Sequence, residues 1–178
     1  MIKNLINALT IFRIFLAVII FLLLMNKGGY MYALILFFIA GLTDYLDGYY
    51  ARKYKATSSI GEILDPTADK VLILFIFFAL AVNLSSYLIA FMGSIIIARE
   101  IWVSALRDFN SKNNNLNATK VTYLAKVKTT IQLSTISIYL FGLAFNNMLF
   151  IIIGDIFLII AVLITIYTGY QYTINTFK

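Results

Sequence analysis

The sequence predicts an all-α integral membrane protein, a single domain over residues 1–178 built as a bundle of six transmembrane helices around a polar cavity open to the cytoplasm. Three observations carry this expectation. First, 62% of the residues are hydrophobic and only 12% are charged, a membrane composition rather than that of a soluble globule. Second, the apolar residues fall into six runs of about 20 residues, the length a helix needs to cross a bilayer. Third, an eight-residue step between small or charged residues recurs in four helices: Asp44 to Arg52, Gly61 to Asp69, Arg99 to Arg107 and Lys120 to Lys128. Each step covers roughly 12 Å of helix, so four inward faces of this kind bring carboxylates and cations to one level.

The first run, Ala8 to Met25, is preceded by Lys3 and Asn4 and interrupted only by Arg13. A signal peptide has similar flanks. Here Asn26-Lys27-Gly28-Gly29 leads directly into a second apolar run with no small-residue cleavage pattern, so the helix is read as retained. The second run spans Tyr30 to Tyr50, the third Leu64 to Val82 and the fourth Tyr87 to Ala105, divided by turns at Gly28-Gly29 and Asn83-Leu84-Ser85-Ser86. A polar, Asn-rich connector follows over Arg107 to Thr119. The runs Val121 to Phe145 and Met148 to Tyr170, hinged at Asn146-Asn147, close the chain. With the N-terminus inside, Lys3, the Arg52–Lys55 connector, the Arg107–Lys120 segment and Lys178 are all cytoplasmic, and Lys27 alone is outside. That bias predicts a multi-pass protein of the cytoplasmic membrane with both termini and the cavity mouth on the cytoplasmic side.

Asp44, Asp47, Glu62, Asp65 and Asp69 are five of the chain's eight acidic residues, and they fall in or beside segments apolar enough for a bilayer. Charges in hydrocarbon are expensive and persist mainly where they line a polar cavity, pair or hold an ion. Asp44 and Asp47 share a helix face at i, i+3, which Gly48 and Arg52 continue; Gly61, Asp65 and Asp69 share another at i, i+4, i+8. Two such helices leaning together converge four carboxylates, and these require a cation. All-oxygen ligands suit a hard ion such as Mg2+, Mn2+ or Ca2+, and a chain with no His and no Cys lacks the usual zinc, copper and iron ligands. Magnesium is the simplest expectation, with manganese its alternative. The competing reading, acids solvating helix ends or pairing with Arg52, Lys53, Lys55 and Lys70, explains their regular inner-face spacing poorly.

The net charge of +6 does not point to nucleic acid, because the basic residues gather at helix ends. Snorkelling accounts for Lys112 and Lys120. It fits Arg99 poorly, since this residue lies deep in an apolar run beside Glu100. Arg99 and Arg107 share a face of the fourth helix, and Lys126 and Lys128 crowd the start of the fifth with Thr129 and Gln132. Such a cluster is what a phosphate dianion requires, Arg supplying a bidentate fork and Lys a point charge. A small ion-coupled or proton-coupled transporter also places acids at depth, but it commonly carries an internal repeat, and none is visible here.

The stretch D-x-x-D-G-x-x-A-R, eight residues, then G-x-x-x-D-x-x-x-D is complete at Asp44, Asp47, Gly48, Ala51, Arg52, Gly61, Asp65 and Asp69. It resembles the signature of the CDP-alcohol phosphatidyltransferases. The segments ARExWVSALR and AKVKTTxQ, with the opening NLINALTIFR, resemble the branch of that family that makes phosphatidylglycerophosphate; Ile6 stands where Pro is usual, and Ala105 and Ala125 where Gly is usual. The resemblance implies transfer of a phosphatidyl group from CDP-diacylglycerol to glycerol 3-phosphate with release of CMP, and often a homodimer. It implies CDP contacts at Asp47, Gly48, Arg52 and Gly61. Asp44, Asp47, Asp65 and Asp69 are then the expected metal ligands, Asp69 doubling as the base for the acceptor hydroxyl, and Arg99, Arg107, Lys126 and Lys128 the acceptor-phosphate site. Sister enzymes that use inositol phosphate or a second phospholipid as acceptor are not separated from this reading by physics alone.

Overall fold

The computed structural model describes residues 2–54, 59–120 and 122–178. Among these the regular structure is helical: α1 (Ile2–Leu24), α2 (Tyr30–Tyr54), α3 (Ser59–Asn83), α4 (Tyr87–Lys112), a single 3-10 turn (Leu116–Thr119), α5 (Tyr123–Ala144) and α6 (Met148–Phe177). Four of the six helices, α1, α2, α4 and α6, are long and apolar enough to cross a membrane. The other two, α3 and α5, carry Asp65, Asp69 and Lys70, and Lys126 and Lys128.

All the long helices but α5, which lies within its expected run, extend beyond the apolar runs at one end or both. Helix α2 continues to Tyr54, α3 already begins at Ser59, and α4 runs on to Lys112, so Arg107 lies within a helix and the expected long connector is shortened. The reason is physical. Hydropathy marks the depth of hydrocarbon, whereas a helix ends where its backbone bonds end, here with the Asn113 N–H on the Phe109 carbonyl.

The other ends are tight turns. Ser85 and Asn146 adopt positive φ (47° and 49°), and the next N–H reaches back into the helix, Ser86 to the Ala81 carbonyl and Asn147 to that of Gly142. Ser86 and Asn147 then cap the following helices by accepting from the N–H groups of Ile89 and Leu149. Such short turns force α3 against α4 and α5 against α6 as antiparallel neighbours. The second pair is drawn close by small residues: a Cβ on Gly154 would lie 2.8 Å from the Tyr139 ring.

Around the bundle the helices contact in the order α2, α1, α3, α4, α6, α5 and back to α2. Leu16, Ile20, Phe37, Leu72, Ile76, Ile136, Leu140 and Leu158 are among the residues that fill the interior. Phe15, Phe78 and Leu163 face outward and are more than half exposed, a surface matched to lipid and hostile to water. This order seats α1 between α2 and α3, the two helices that carry the acidic residues.

Candidate active site

Asp44 and Asp47 stand one turn apart on α2, Asp65 and Asp69 one turn apart on α3, and α1 joins them. Arg13 of α1 is 1% exposed, and its guanidinium is the hub of the cluster. Nη1 donates to Asp69 Oδ1 at 2.7 Å and forms an ion pair with Asp44 Oδ1 at 2.8 Å, and Nη2 donates to Asp47 Oδ2. One turn earlier, Thr10 Oγ1 donates to Asp65 Oδ1 at 2.7 Å. All four expected carboxylates are thus gathered by one face of α1. Gly48, beside Asp47, is partly buried; Gly61, one turn before Asp65, is buried. The side chains of Arg52 and Glu62, and Lys55, lie outside the described residues.

Part of the positive charge that the converging carboxylates require is supplied by the chain's own Arg13. Among the described residues no three carboxylates form a ready-made metal coordination sphere, and one oxygen of each is engaged, that of Asp65 with Thr10 and those of Asp44, Asp47 and Asp69 with Arg13. By donor chemistry the set still suits a hard divalent cation. Arg13 balances only one of four carboxylates, every ligand atom on offer is oxygen, and the side chains of Asp44 and Asp69 are half exposed and open to an incoming ion.

A cavity of about 440 Å³ adjoins the cluster. Asp69 lines it, as do all four cations expected to bind phosphate, Arg99, Arg107, Lys126 and Lys128, together with Lys70 and Glu100. Asp69 therefore belongs to both halves, bonded to Arg13 on one side and bordering the cationic cavity on the other. Glu100 pairs with its neighbour Arg99 at 3.2 Å and with the buried Lys128 across the α4–α5 gap. Lys70 Nζ donates to Ser104 Oγ. A second cavity, about 380 Å³, lies between α3 and α4 near their turn and is lined by no Asp, Glu, Lys or Arg.

Arg99 is held from α6. Its Nη2 donates to Thr168 Oγ1 at 2.9 Å and its Nε to the Thr165 carbonyl oxygen at 3.2 Å. Gly169 makes room for the stem, since a Cβ there would sit 3.0 Å from Arg99 Cγ. The buried Tyr172 ring lies 5.6 Å from the Arg99 guanidinium and 5.8 Å from that of Arg107, so one aromatic face region serves both cations.

Sequence reasoning assigned no role to Thr10, Arg13, Gly169 or Tyr172. For Arg13 the signal was present: it is the one charge within an 18-residue apolar run, and it closes the opening segment NLINALTIFR. Gly169 and Tyr172 carried no such signal, because a glycine and a tyrosine in an apolar helix read as packing.

A helical membrane bundle in which the four aspartates of D-x-x-D-G-x-x-A-R and its second half converge beside a cation-lined cavity belongs to a defined class. The family model for CDP-alcohol phosphatidyltransferase matches residues 3–167, and the chain is a member of that family. Its relatives narrow the class. The CDP-diacylglycerol–glycerol-3-phosphate 3-phosphatidyltransferase of Rickettsia felis is 39% identical over 173 residues, covering 96% of this chain and 93% of the relative. The protein of the same name from Haemophilus influenzae is 38% identical over 167 residues, covering 92% and 88%.

Proposed function

We propose that this chain transfers the phosphatidyl group of CDP-diacylglycerol to the terminal hydroxyl of glycerol 3-phosphate, giving phosphatidylglycerophosphate and CMP. The observation that carries the reading is the position of Asp69, shared by the acidic cluster and by a cavity that Arg99, Arg107, Lys126 and Lys128 also line. The names of the relatives point to the same reaction. In this reading the four cations hold the acceptor's phosphate and the acidic side takes the nucleotide, with Asp47, Gly48, Arg52 and Gly61 at the CDP moiety. The acceptor oxygen attacks the phosphatidyl phosphorus, the pyrophosphate P–O bond breaks, CMP departs, and the hydroxyl proton passes to Asp69.

Asp44, Asp47, Asp65 and Asp69 would hold Mg2+, or Mn2+ in its place, which when bound neutralises phosphate charge and eases departure of CMP. Arg13 keeps the four carboxylates facing one point. The reading includes a single membrane domain of six spans, with α3 and α5 crossing through their pairing with the other helices, and a cavity and termini on the cytoplasmic side, where the soluble acceptor is found. A homodimer accords with it.

Purified protein in lipid nanodiscs tests the proposal. CMP should appear from CDP-diacylglycerol only when glycerol 3-phosphate is supplied, and only with Mg2+ or Mn2+. Release with inositol phosphate or a second phospholipid but not with glycerol 3-phosphate would move the chain to a sister activity, and release with no acceptor at all would overturn the reading.

A further inference from the structure

Gln132 of α5 is fully buried, and its Oε1 has no hydrogen-bond partner among the described residues. Its Nε2 donates to Thr165 Oγ1 at 3.1 Å, and the residue forms part of the wall of the cavity that Asp69, Arg99 and Lys128 line. Buried polar atoms are nearly always paired, so an unpaired acceptor in the wall of a binding cavity marks the place of a donor that a ligand brings. Phosphate oxygens only accept and cannot fill that place. A hydroxyl can, and because it both donates and accepts it satisfies either orientation of the amide.

We infer that Gln132 determines acceptor specificity by hydrogen-bonding the C2 hydroxyl of glycerol 3-phosphate while Arg99 and Lys128 hold the phosphate. The inference rests on the proposed reaction and adds which atom of the acceptor is read. Two placements support it. Gln132 lies one helical turn beyond Lys128 on the same face of α5, as the C2 hydroxyl lies one carbon beyond the phosphoester. Arg99 and Gln132 are also fixed to one residue of α6, the first through the Thr165 carbonyl and the second through its hydroxyl, so phosphate and hydroxyl ligands keep a constant separation. The terminal hydroxyl is engaged with Asp69, which leaves C2.

The test compares glycerol 3-phosphate with 3-hydroxypropyl phosphate, which keeps the phosphate and the terminal hydroxyl and lacks only the C2 hydroxyl. A site built around a substrate hydroxyl rejects the analogue without it, so wild type should prefer glycerol 3-phosphate by at least about 10²-fold in kcat/KM, read as CMP release. In Gln132→Leu the preference should collapse to within about tenfold, through loss of activity on glycerol 3-phosphate and not on the analogue. Gln132→Glu, which keeps an acceptor oxygen at that place, should retain the preference. Should Gln132→Leu not fold, Gln132→Met, of similar length and without the amide, replaces it. A wild-type preference near unity, or a variant that loses both acceptors equally, overturns the inference and leaves the reaction standing. No CMP from wild type with glycerol 3-phosphate overturns the reaction and this inference together.

Discussion

Replacing Arg13 by methionine keeps most of the side chain's volume and removes the charge to which Asp44, Asp47 and Asp69 are all bonded. Breaking a buried ion pair from one side costs about 3–5 kcal/mol, because the remaining charge is left without compensation. Exposed pairs are worth about 1 kcal/mol or less. Only the Asp47 side chain, 5% exposed, is left buried; Asp44 and Asp69, at 53% and 51%, are reached by water. The low end of the buried range applies, so Arg13→Met should cost about 3 kcal/mol, which for a chain of this size lowers the melting temperature by about 6–12 °C. The assay is thermal unfolding in mild detergent, followed by tryptophan fluorescence, first in EDTA and then with Mg2+. Without Arg13 the cluster is more negative, so magnesium should raise the variant's melting temperature by more than it raises that of wild type. A variant melting within about 2 °C of wild type in EDTA would refute the idea that Arg13 holds the acidic helices together.

Asp69→Asn preserves shape but removes the base, and should lower kcat by roughly 10²- to 10⁴-fold while CDP-diacylglycerol binding changes less. Asp44→Asn and Asp65→Asn remove metal charge, so nucleotide binding at saturating Mg2+ should fall along with turnover; equal loss of binding in Asp69→Asn would make Asp69 a metal ligand only. Arg99→Ala or Lys128→Ala should raise KM for glycerol 3-phosphate far more than it weakens binding of CDP-diacylglycerol, and wild-type acceptor kinetics in both would put the phosphate elsewhere. Gly169→Val sets a Cβ 3.0 Å from Arg99 Cγ, and should raise the acceptor KM although residue 169 lies outside the cavity lining; an unchanged KM would show that the Arg99 stem yields without cost.

How much of this was legible in the sequence depended on the length scale of each interaction. The helix partition was legible at two turns whose chemistry is local: Asn83 to Ser86 and Asn146-Asn147 carry their own caps and positive-φ positions. The inner faces of α2 and α3 were legible for the same reason, because i, i+3 and i, i+4 spacing within one helix decides which carboxylates point together. Helix ends were not. Tyr50 and Ala105 mark where the apolar runs end, while α2 and α4 keep hydrogen-bonding to Tyr54 and Lys112. Which helices touch was not legible either, as nothing in the spacing of Arg99 indicates that Thr165 and Thr168, more than sixty positions later, will hold it.

The same limit explains why the sequence did not show which residues Arg13 joins, and its position shows what the acidic motif leaves out. Four carboxylates on two helices repel one another, so α2 and α3 do not gather them unaided. Their convergence needs a third element that is apolar enough to lie between them and carries one fixed positive charge at the right depth. Helix α1 has that composition: Leu16, Ala17 and Ile20 pack in the core, while Thr10 and Arg13, one turn apart, meet Asp65 on one side and Asp44, Asp47 and Asp69 on the other. A guanidinium suits the task better than an ammonium, because its fork reaches both helices at once and stays charged when buried. Asp47, the carboxylate most removed from water, receives an Nη of its own, whereas the half-exposed Asp44 and Asp69 share the other. The charge is thus spent where water cannot help, and the two acids left most accessible, Asp44 and Asp69, are the ones an incoming ion or hydroxyl can reach.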